Sequence, residues 1–189
     1  MRNEREQIRA ALAGDMSAEK ALYDANVDRV FGLAYRMCGD AALAEDFTQD
    51  SFLRAFTHLP GFRGQAAFST WLHSIAMSVI LNGLRKVKRV RQWEQLDEHP
   101  PEGLSLDPDW ELKRRLTKAV DQLPDKLRAV FILYEVEGYR HQDVCSILDI
   151  NEGSSKARLS RAKDKLRTTL GDSMGDSMER RDHERGTFR

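Results

Sequence analysis

Cysteine is scarce in this sequence: its 189 residues include only Cys38 and Cys145. They lie far apart and outside any Cys-x-x-Cys or Cys/His spacing, so the pattern gives no disulfide scaffold and no zinc site. We expect two reduced thiols, no metal ion and no cofactor. The five histidines are scattered as well, without the Ser/His/Asp or paired-carboxylate grouping that an enzyme active site needs.

Long hydrophobic runs are also missing. The longest nearly apolar run, residues 75–81, is far shorter than the roughly 20 residues that a transmembrane helix needs. The first six residues are charged or polar after Met1, and no apolar segment of a secretory signal peptide follows. We therefore expect a cytoplasmic protein that is not itself embedded in a membrane.

Proline is rare, and its distribution predicts the domain organisation. Three of the five prolines lie between residues 100 and 108, within a segment that cannot continue a helix. Helical periodicity on both sides predicts an all-α fold of two small domains joined by a flexible linker. We place them at residues 1–93 and 111–170, with the linker at 94–110 and a disordered tail at 171–189.

Capping residues and apolar spacing predict where the helices lie. The first predicted helix covers residues 18–37, and Asp40 caps the next, over 41–58. Ser69 is the predicted cap of a third helix, which runs through Trp71 to about Arg91. In the second half, helices are predicted over residues 110–123, 125–136 and 142–148, with Asn151 capping a final helix.

The sequence has no net charge, yet its charges are segregated. Residues 85–91 carry five basic groups and no acid, whereas residues 94–111 carry seven acids and no base. Residues 152–167 hold six basic groups against two acids. Charges separated by more than roughly 8–10 Å are largely screened from one another at ordinary salt, so the two basic segments can attract nucleic acid locally despite the neutral total.

One face of the predicted helix 41–58 could bind a partner protein. Asp46, Gln49, Asp50 and Leu53 fall on this face, opposite Thr48 and other residues that would face a core. An acidic and amide stripe beside an exposed leucine suits a basic partner helix. From the pattern alone, an ordinary solvated face is the stronger alternative.

The segment after this helix combines the features of a single-stranded DNA site. A loop with Phe62, Arg63 and Gln65 leads into a helix that ends in Arg85, Lys86, Lys88, Arg89 and Arg91. Such sites need a positive track for the backbone and surfaces for unstacked bases. Phe68, Trp71, Leu72 and Ile75 have core spacing, so we assign base reading to the loop rather than to these residues.

The C-terminal segment has the pattern of a helix-turn-helix. Asp149, Ile150 and Asn151 form the turn, and the second helix is basic. Short outward side chains allow close approach to the major groove, and arginine and lysine contact guanine edges and phosphates. The candidate DNA-binding residues of this helix are Ser154, Lys156, Ala157, Arg158, Ser160 and Arg161.

With these motifs in this order, the chain resembles an extracytoplasmic-function sigma factor of the sigma-70 family over roughly residues 18–170. Residues 44–56 resemble the helix that grips the clamp helices of the RNA polymerase largest subunit. Residues 62–76 resemble the part that melts and reads the minus-ten element, and residues 123–167 resemble the domain that reads the minus-thirty-five element.

The resemblance implies a transcription initiation factor without an active site. Such a factor binds core polymerase, also through the β-subunit flap, and contacts promoter DNA as duplex and as melted single strand. Capture of a flipped base offsets the few kcal/mol that unpairing costs. A cognate anti-sigma factor, often bound to the membrane, holds most members inactive.

The chain departs from the family pattern at several positions. Ser78 occupies a position that is commonly Asn in the base pocket, although Asn82 follows one turn later; both belong to the minus-ten set. Arg140 replaces a small capping hydroxyl, Ser155 a β-branched apolar residue and Ala157 a common Ser.

Two other classes of protein remain as alternatives. A stand-alone helix-turn-helix regulator would leave the acidic stripe and the loop from Phe62 without a role, and it would bind duplex DNA tightly without polymerase. An enzyme is the weakest alternative because no catalytic grouping is present.

Overall fold

A computed structural model describes residues 4–94 and 108–186, with side chains over 4–89 and 115–171. Every regular element in these two ranges is helical. The helices are α1 (Glu4–Leu12), α2 (Met16–Asp24), α3 (Val27–Cys38), α4 (Ala41–His58), α5 (Phe68–Glu94), α6 (Pro108–Asp121), α7 (Asp125–Phe131), α8 (His141–Leu148) and α9 (Glu152–Gly186). A short 3-10 turn, Leu59–Gly61, follows α4, and a π-helical turn, Ile132–Val136, follows α7.

The junction between α3 and α4 forms as the sequence predicts. Gly39 ends α3 in the left-handed conformation at φ 71°, which glycine adopts without steric cost. The Asp40 carboxylate then accepts a hydrogen bond from the Leu43 backbone N–H at 3.0 Å, which satisfies one of the free donors at the start of α4.

Several predicted boundaries differ from the structure. The single helix expected over residues 18–37 is two helices, because the Asn26 side-chain amide donates to the Leu22 carbonyl at 2.8 Å and ends α2 there. Ser69 does not cap α5, which begins at Phe68. The cap comes from another helix, since Glu4 of α1 accepts a hydrogen bond from the Phe68 backbone N–H at 3.3 Å.

Two further differences lie in the second half of the chain. The helix predicted over residues 125–136 is α7 followed by the π-helical turn. In a π-helix each backbone N–H bonds to the carbonyl five residues earlier, one residue further away than in an α-helix. The tail expected to be disordered from Gly171 instead continues α9 as far as Gly186. This stretch contains no proline, the residue that most strongly breaks a helix, although its glycine, aspartate and serine residues are weak helix formers. Most of the predicted linker, residues 95–107, lies outside the described residues.

The N-terminal helices α1–α5 and the C-terminal helices α6–α9 pack against each other through one shared apolar core. Leu33 of α3 and Leu72 of α5 are fully buried in it, together with Leu133 and Val144 from the C-terminal helices. A smaller second cluster joins α6 to α9 through Ala119, Leu123, Ala162 and Leu166. The molecule described here is therefore closed, with α8 against α5 and with α7 and the π-helical turn against α3.

Candidate nucleic-acid interface

The acidic stripe on α4 is exposed in the structure. Asp46, Gln49 and Asp50 all face solvent, and Leu53 keeps 67% of its surface exposed. The opposite side of α4 is buried as predicted, with Thr48, Phe52, Ala55 and Leu59 no more than 4% exposed. The buried Thr48 hydroxyl donates to the Ala44 carbonyl at 2.6 Å, so this polar group is satisfied. Because the inner face of α4 is packed into the core, the stripe on the opposite face points to solvent.

The loop after α4 lines a cleft of about 240 Å³, which we call the loop cleft. Its walls include Phe62, Arg63 and Gln65 from the loop and Thr70, Trp71 and Ser74 from α5. Arg63 and Gln65 are exposed, whereas the half-buried Phe62 ring packs against Trp71 at a centroid distance of 5.0 Å. The loop therefore provides a cation and an amide beside aromatic walls, the composition that single-stranded nucleic-acid sites use.

The four aromatic and aliphatic residues predicted as core divide into two pairs. Phe68 and Leu72 are 0% exposed, as expected. Trp71 and Ile75 are only partly buried, and Trp71 lines the loop cleft. Trp71 packs against the core as its spacing predicts, but it also borders the loop cleft, because spacing shows which side of a helix a residue occupies and not how completely a neighbour covers it.

The predicted minus-ten residues along α5 remain exposed. They are Ser78, Asn82, Arg85, Lys86, Lys88 and Arg89. The Arg85 guanidinium donates to the Asn82 side-chain oxygen at 3.2 Å, so these two side chains form one polar unit. Lys88 differs from its neighbours, since its ammonium is ion-paired with Asp125 of α7 at 2.7 Å. In the closed molecule Lys88 already has an anionic partner.

The helix-turn-helix forms from α8, a left-handed residue at Asp149 (φ 50°) and α9. Asn151 caps α9 as predicted, accepting a hydrogen bond from the Ser154 backbone N–H at 2.8 Å. The candidate DNA-binding residues include Lys156, Ala157, Ser160 and Arg161, which are exposed, and Ser154 and Arg158, which are half-buried. The outward face of α9 is exposed to solvent.

The Lys156 ammonium is held by a residue one turn earlier. Its ion pair with Glu152 spans 2.7 Å, and the hydrogen bond between them lowers the pKa of Glu152 and raises that of Lys156. Both groups are solvated, so a DNA phosphate can compete for the ammonium at little cost.

Two departures from the family pattern have structural explanations. Ser155 is fully buried, and its hydroxyl pairs with His141 Nδ1 at 2.8 Å, while the His141 ring stacks on Tyr134 at 4.4 Å. At the start of α8, Asp143 accepts a hydrogen bond from the Arg140 backbone N–H at 3.3 Å. A carboxylate three residues inside the helix thus pairs with the cap position that lacks a small hydroxyl.

A set of polar contacts between the two groups of helices was not found from the sequence. Arg128 donates to the Met37 carbonyl at 2.7 Å, Arg36 is ion-paired with the nearly buried Glu137, and Tyr139 pairs with His73 Nδ1 at 2.9 Å. These residues are 66 to 101 positions apart. Contacts between residues so far apart produce no periodic pattern in the sequence. The only sequence feature that could have indicated them is a charged or polar residue within an otherwise apolar segment.

His73 is the most strongly perturbed of these groups. It is 0% exposed, and burial lowers its pKa to about 4, against a smaller opposing effect of Glu137. Burial also raises the pKa of Tyr139, so the phenol keeps its proton and can hydrogen-bond to the neutral imidazole. His73 Nε2 has no hydrogen-bond partner among the described residues.

Neither a metal site nor a membrane span is found in the part of the chain that the structure describes. No group of three or more His, Cys, Asp or Glu side chains there could hold a metal ion. No helix there is long and apolar enough to cross a bilayer.

Comparison with known families matches both halves of the chain. Residues 22–90 match sigma-70 region 2, and residues 113–166 match sigma-70 region 4; together the matches cover more than half of the sequence. The chain is 29% identical to the ECF RNA polymerase sigma factor SigW of Bacillus subtilis, over 89% of this chain and 97% of SigW. It is 30% identical to the ECF RNA polymerase sigma factor SigE of Mycolicibacterium smegmatis over 77% of this chain, and it spans 58% of that relative's length.

Two solved structures are similar in fold. One is the sigma factor RpoE in complex with the anti-sigma factor NepR from Bartonella quintana, with a TM-score of 0.64 and 24% identity over 80% of this chain and 96% of RpoE. The other is CnrH in complex with the cytosolic domain of CnrY, with a TM-score of 0.67 and 19% identity over 89% of this chain and 97% of CnrH. At 24% and 19% sequence identity, these two structures show a similarity of fold.

Proposed function

The chain belongs to the extracytoplasmic-function sigma factors of the sigma-70 family, and we propose from this that it binds core RNA polymerase and directs initiation at promoters that its two helical domains read. The proposal depends on one observation: three surfaces occur together in a single chain. They are an acidic docking stripe, a loop cleft beside a basic helix, and an exposed recognition helix. A stand-alone DNA-binding regulator needs only the third.

The stripe formed by Asp46, Gln49, Asp50 and Leu53 is the proposed polymerase contact. Its charges suit the basic residues of a clamp helix, and complementary charge adds to the rate and specificity of docking. The exposed leucine gives the contact an apolar anchor. A second contact, with the β-subunit flap, is proposed for the C-terminal domain on family grounds.

Promoter recognition is proposed to divide between the two domains. The region of residues 1–93 reads and melts the minus-ten element through the loop cleft and the exposed residues of α5. The region of residues 111–170 reads the minus-thirty-five element through α9, with residues 94–110 as the linker between them. Lys88 becomes available to DNA only when its ion pair with Asp125 opens.

Control by a cognate anti-sigma factor is part of the proposal. RpoE was solved with its anti-sigma factor, and CnrH with the cytosolic domain of CnrY. We propose a cytoplasmic sigma factor that such a partner can hold at the inner face of a membrane. The shared core between the two groups of helices is a conformation that an inhibitor could stabilise.

The experiment that tests the proposal is competition for core polymerase between the chain and its Asp46→Arg variant. Reversing an exposed charge at the rim of an interface should cost about 1–3 kcal/mol of binding free energy through lost complementarity. Asp28→Arg is the matched control, since Asp28 is exposed on α3 outside the stripe. Equal affinity of both variants and the parent would refute the docking assignment.

Binding to promoter duplex separates the two functional classes. A sigma factor should bind specifically only after polymerase joins it, whereas a stand-alone regulator would bind the duplex tightly by itself. Tight, sequence-specific binding without polymerase would contradict the proposal.

A further inference from the structure

The helix α5 starts next to a residue that cannot cap it. The Trp71 backbone N–H bonds to the Ala67 carbonyl at 3.1 Å, which makes Ala67 the N-cap position, and an alanine side chain has no oxygen to accept a hydrogen bond. Phe68 is the first helical residue and is 0% exposed, so its backbone N–H is shielded from water. A buried donor without a partner is costly, and α5 therefore needs an acceptor from elsewhere in the chain.

This acceptor comes from α1. The Glu4 carboxylate accepts the Phe68 N–H at 3.3 Å, across a separation of 64 positions. Ile8 and Ala11, further along α1, are buried in the shared core, so a packed helix presents the carboxylate. The same helix also contacts the 3-10 turn Leu59–Gly61. The two ends of the segment between that turn and α5 are therefore both in contact with α1.

This segment is the loop that lines the loop cleft. Leu59, which is 2% exposed, fixes one end, and the buried Phe68 fixes the other, whereas residues 63–67 are all exposed. The first turn of α5 then supplies Thr70 and Trp71 to the wall of the cleft. The position of this turn accordingly sets the distance between the polar groups of the loop and the aromatic wall.

Charge decides how Glu4 can affect DNA binding. A carboxylate repels DNA phosphates and cannot contribute a favourable contact to them. Glu4 also lies outside the residues that match sigma-70 region 2, which begin at residue 22. Any contribution of Glu4 to DNA binding must therefore act through the geometry of α5.

We propose that Glu4 is a positioning residue for the loop cleft: by capping α5 it holds Thr70 and Trp71 in the geometry that binds a melted DNA strand. This inference rests on the proposed function, because it supposes such a strand in the loop cleft. When the first turn of α5 frays, the apparent affinity for DNA falls with the fraction of molecules that keep the binding geometry. The helix α1 thereby takes part in promoter opening without touching DNA.

Hydrogen exchange in the complete free chain tests the cap. In Glu4→Ala, the backbone amides of Phe68 and Trp71 should exchange about two- to thirtyfold faster, the range expected for the loss of a helix cap. Asp28→Ala is the matched control, because it likewise removes an acid from the first turn of a helix, from α3 instead of α1, and keeps Glu4 in place. Exchange at Phe68 and Trp71 should not change in this control.

DNA binding tests the positioning role. The wild-type complex with core polymerase first selects tight binders from a pool of random single-stranded 12-mers. The affinity of each variant complex for one selected oligonucleotide is then measured by fluorescence anisotropy. Glu4→Ala should lower this affinity about two- to tenfold, because fewer molecules keep the first turn in place. Its affinity for core polymerase, measured in competition with the wild type, should not change.

Two rescue variants separate capping from charge. Glu4→Gln keeps an acceptor oxygen without the negative charge and should retain most of the affinity for the oligonucleotide. Ala67→Ser, added to Glu4→Ala, places a hydroxyl at the N-cap position of the same turn. This double variant should regain slow exchange at Trp71 and an oligonucleotide affinity within about twofold of the wild type.

Each way of failing has its own pattern. Unchanged exchange at Phe68 in Glu4→Ala would show that Glu4 does not cap α5 and would overturn the inference. Faster exchange with unchanged oligonucleotide affinity would make Glu4 a structural cap only, and a loss of affinity that Ala67→Ser does not correct would assign the effect to something other than the cap; either result overturns the positioning role. If the wild-type complex selects no oligonucleotide at all, the proposed function itself fails, and the positioning role fails with it.

Discussion

Mild acid is expected to destabilise the folded chain through His73, which lies in the contact between α5 and the C-terminal helices. The ring is fully buried, and its Nδ1 lies within hydrogen-bond distance of the Tyr139 hydroxyl, at 2.9 Å. Burial is the main cause of its low pKa; Arg29 and Arg36 also lower it, while Glu137 raises it. A proton on this ring would be placed in the apolar core without an anionic partner in direct contact.

The direction of the effect follows from the two pKa values. In the unfolded chain His73 takes up a proton as pH falls through its ordinary value of 6.5, whereas in the folded chain it does so only at about 4. The unfolded state therefore binds more protons between these values, and stability falls as pH falls. At about 1.4 kcal/mol per pKa unit, His73 should remove about 2.5 kcal/mol of unfolding free energy between pH 7 and pH 4.5.

The assay is urea unfolding at the two pH values and constant ionic strength, with His73→Gln as the reference. Glutamine can still hydrogen-bond with Tyr139 but does not titrate, and the carboxylates that titrate near pH 4.5 are common to both proteins. The wild type should lose about 2.5 kcal/mol more than the variant. Tyr139→Phe should keep the wild-type dependence, because burial rather than the hydroxyl is the main cause. Equal losses in wild type and His73→Gln would refute the reasoning.

Two further predictions concern DNA recognition and packing. Arg161→Ala should cost roughly 1–3 kcal/mol of binding free energy at promoters with a matching upstream element, and it should relax the preference at one base. Lys156→Ala should instead weaken binding to all upstream sequences about equally. If Arg161→Ala weakened binding to every duplex in a panel of upstream sequences by the same factor, Arg161 would be a backbone contact. Gly83→Ala should destabilise the fold by about 1–3 kcal/mol, because its Cβ would lie 2.2 Å from a ring carbon of Phe47. Gly171→Ala meets nothing within 4 Å and should instead stabilise by about 0.5–1 kcal/mol; thermal unfolding that ranked the two glycine variants the other way would show that the Phe47 contact yields.

Much of the local structure was determined by the sequence. Asp40 and Asn151 cap the helices that they were predicted to cap, because a side-chain oxygen next to free backbone N–H groups is a local interaction. The inner face of α4 and the helix-turn-helix likewise follow from spacing within a few turns. The order of these motifs was enough to indicate the family.

Only the tertiary structure decided how the two halves meet. Lys86 and Lys88 are equivalent in the sequence pattern, yet only Lys88 is paired with Asp125 across the domain contact. Trp71 has core spacing and is nevertheless left partly exposed at the loop cleft, and His73 is buried against a residue 66 positions away. Helical periodicity shows which side of a helix is apolar. Which helix covers that side depends on packing between segments that are distant in the sequence. This packing then sets the exposure, the hydrogen-bond partner and the pKa of each polar side chain at the contact.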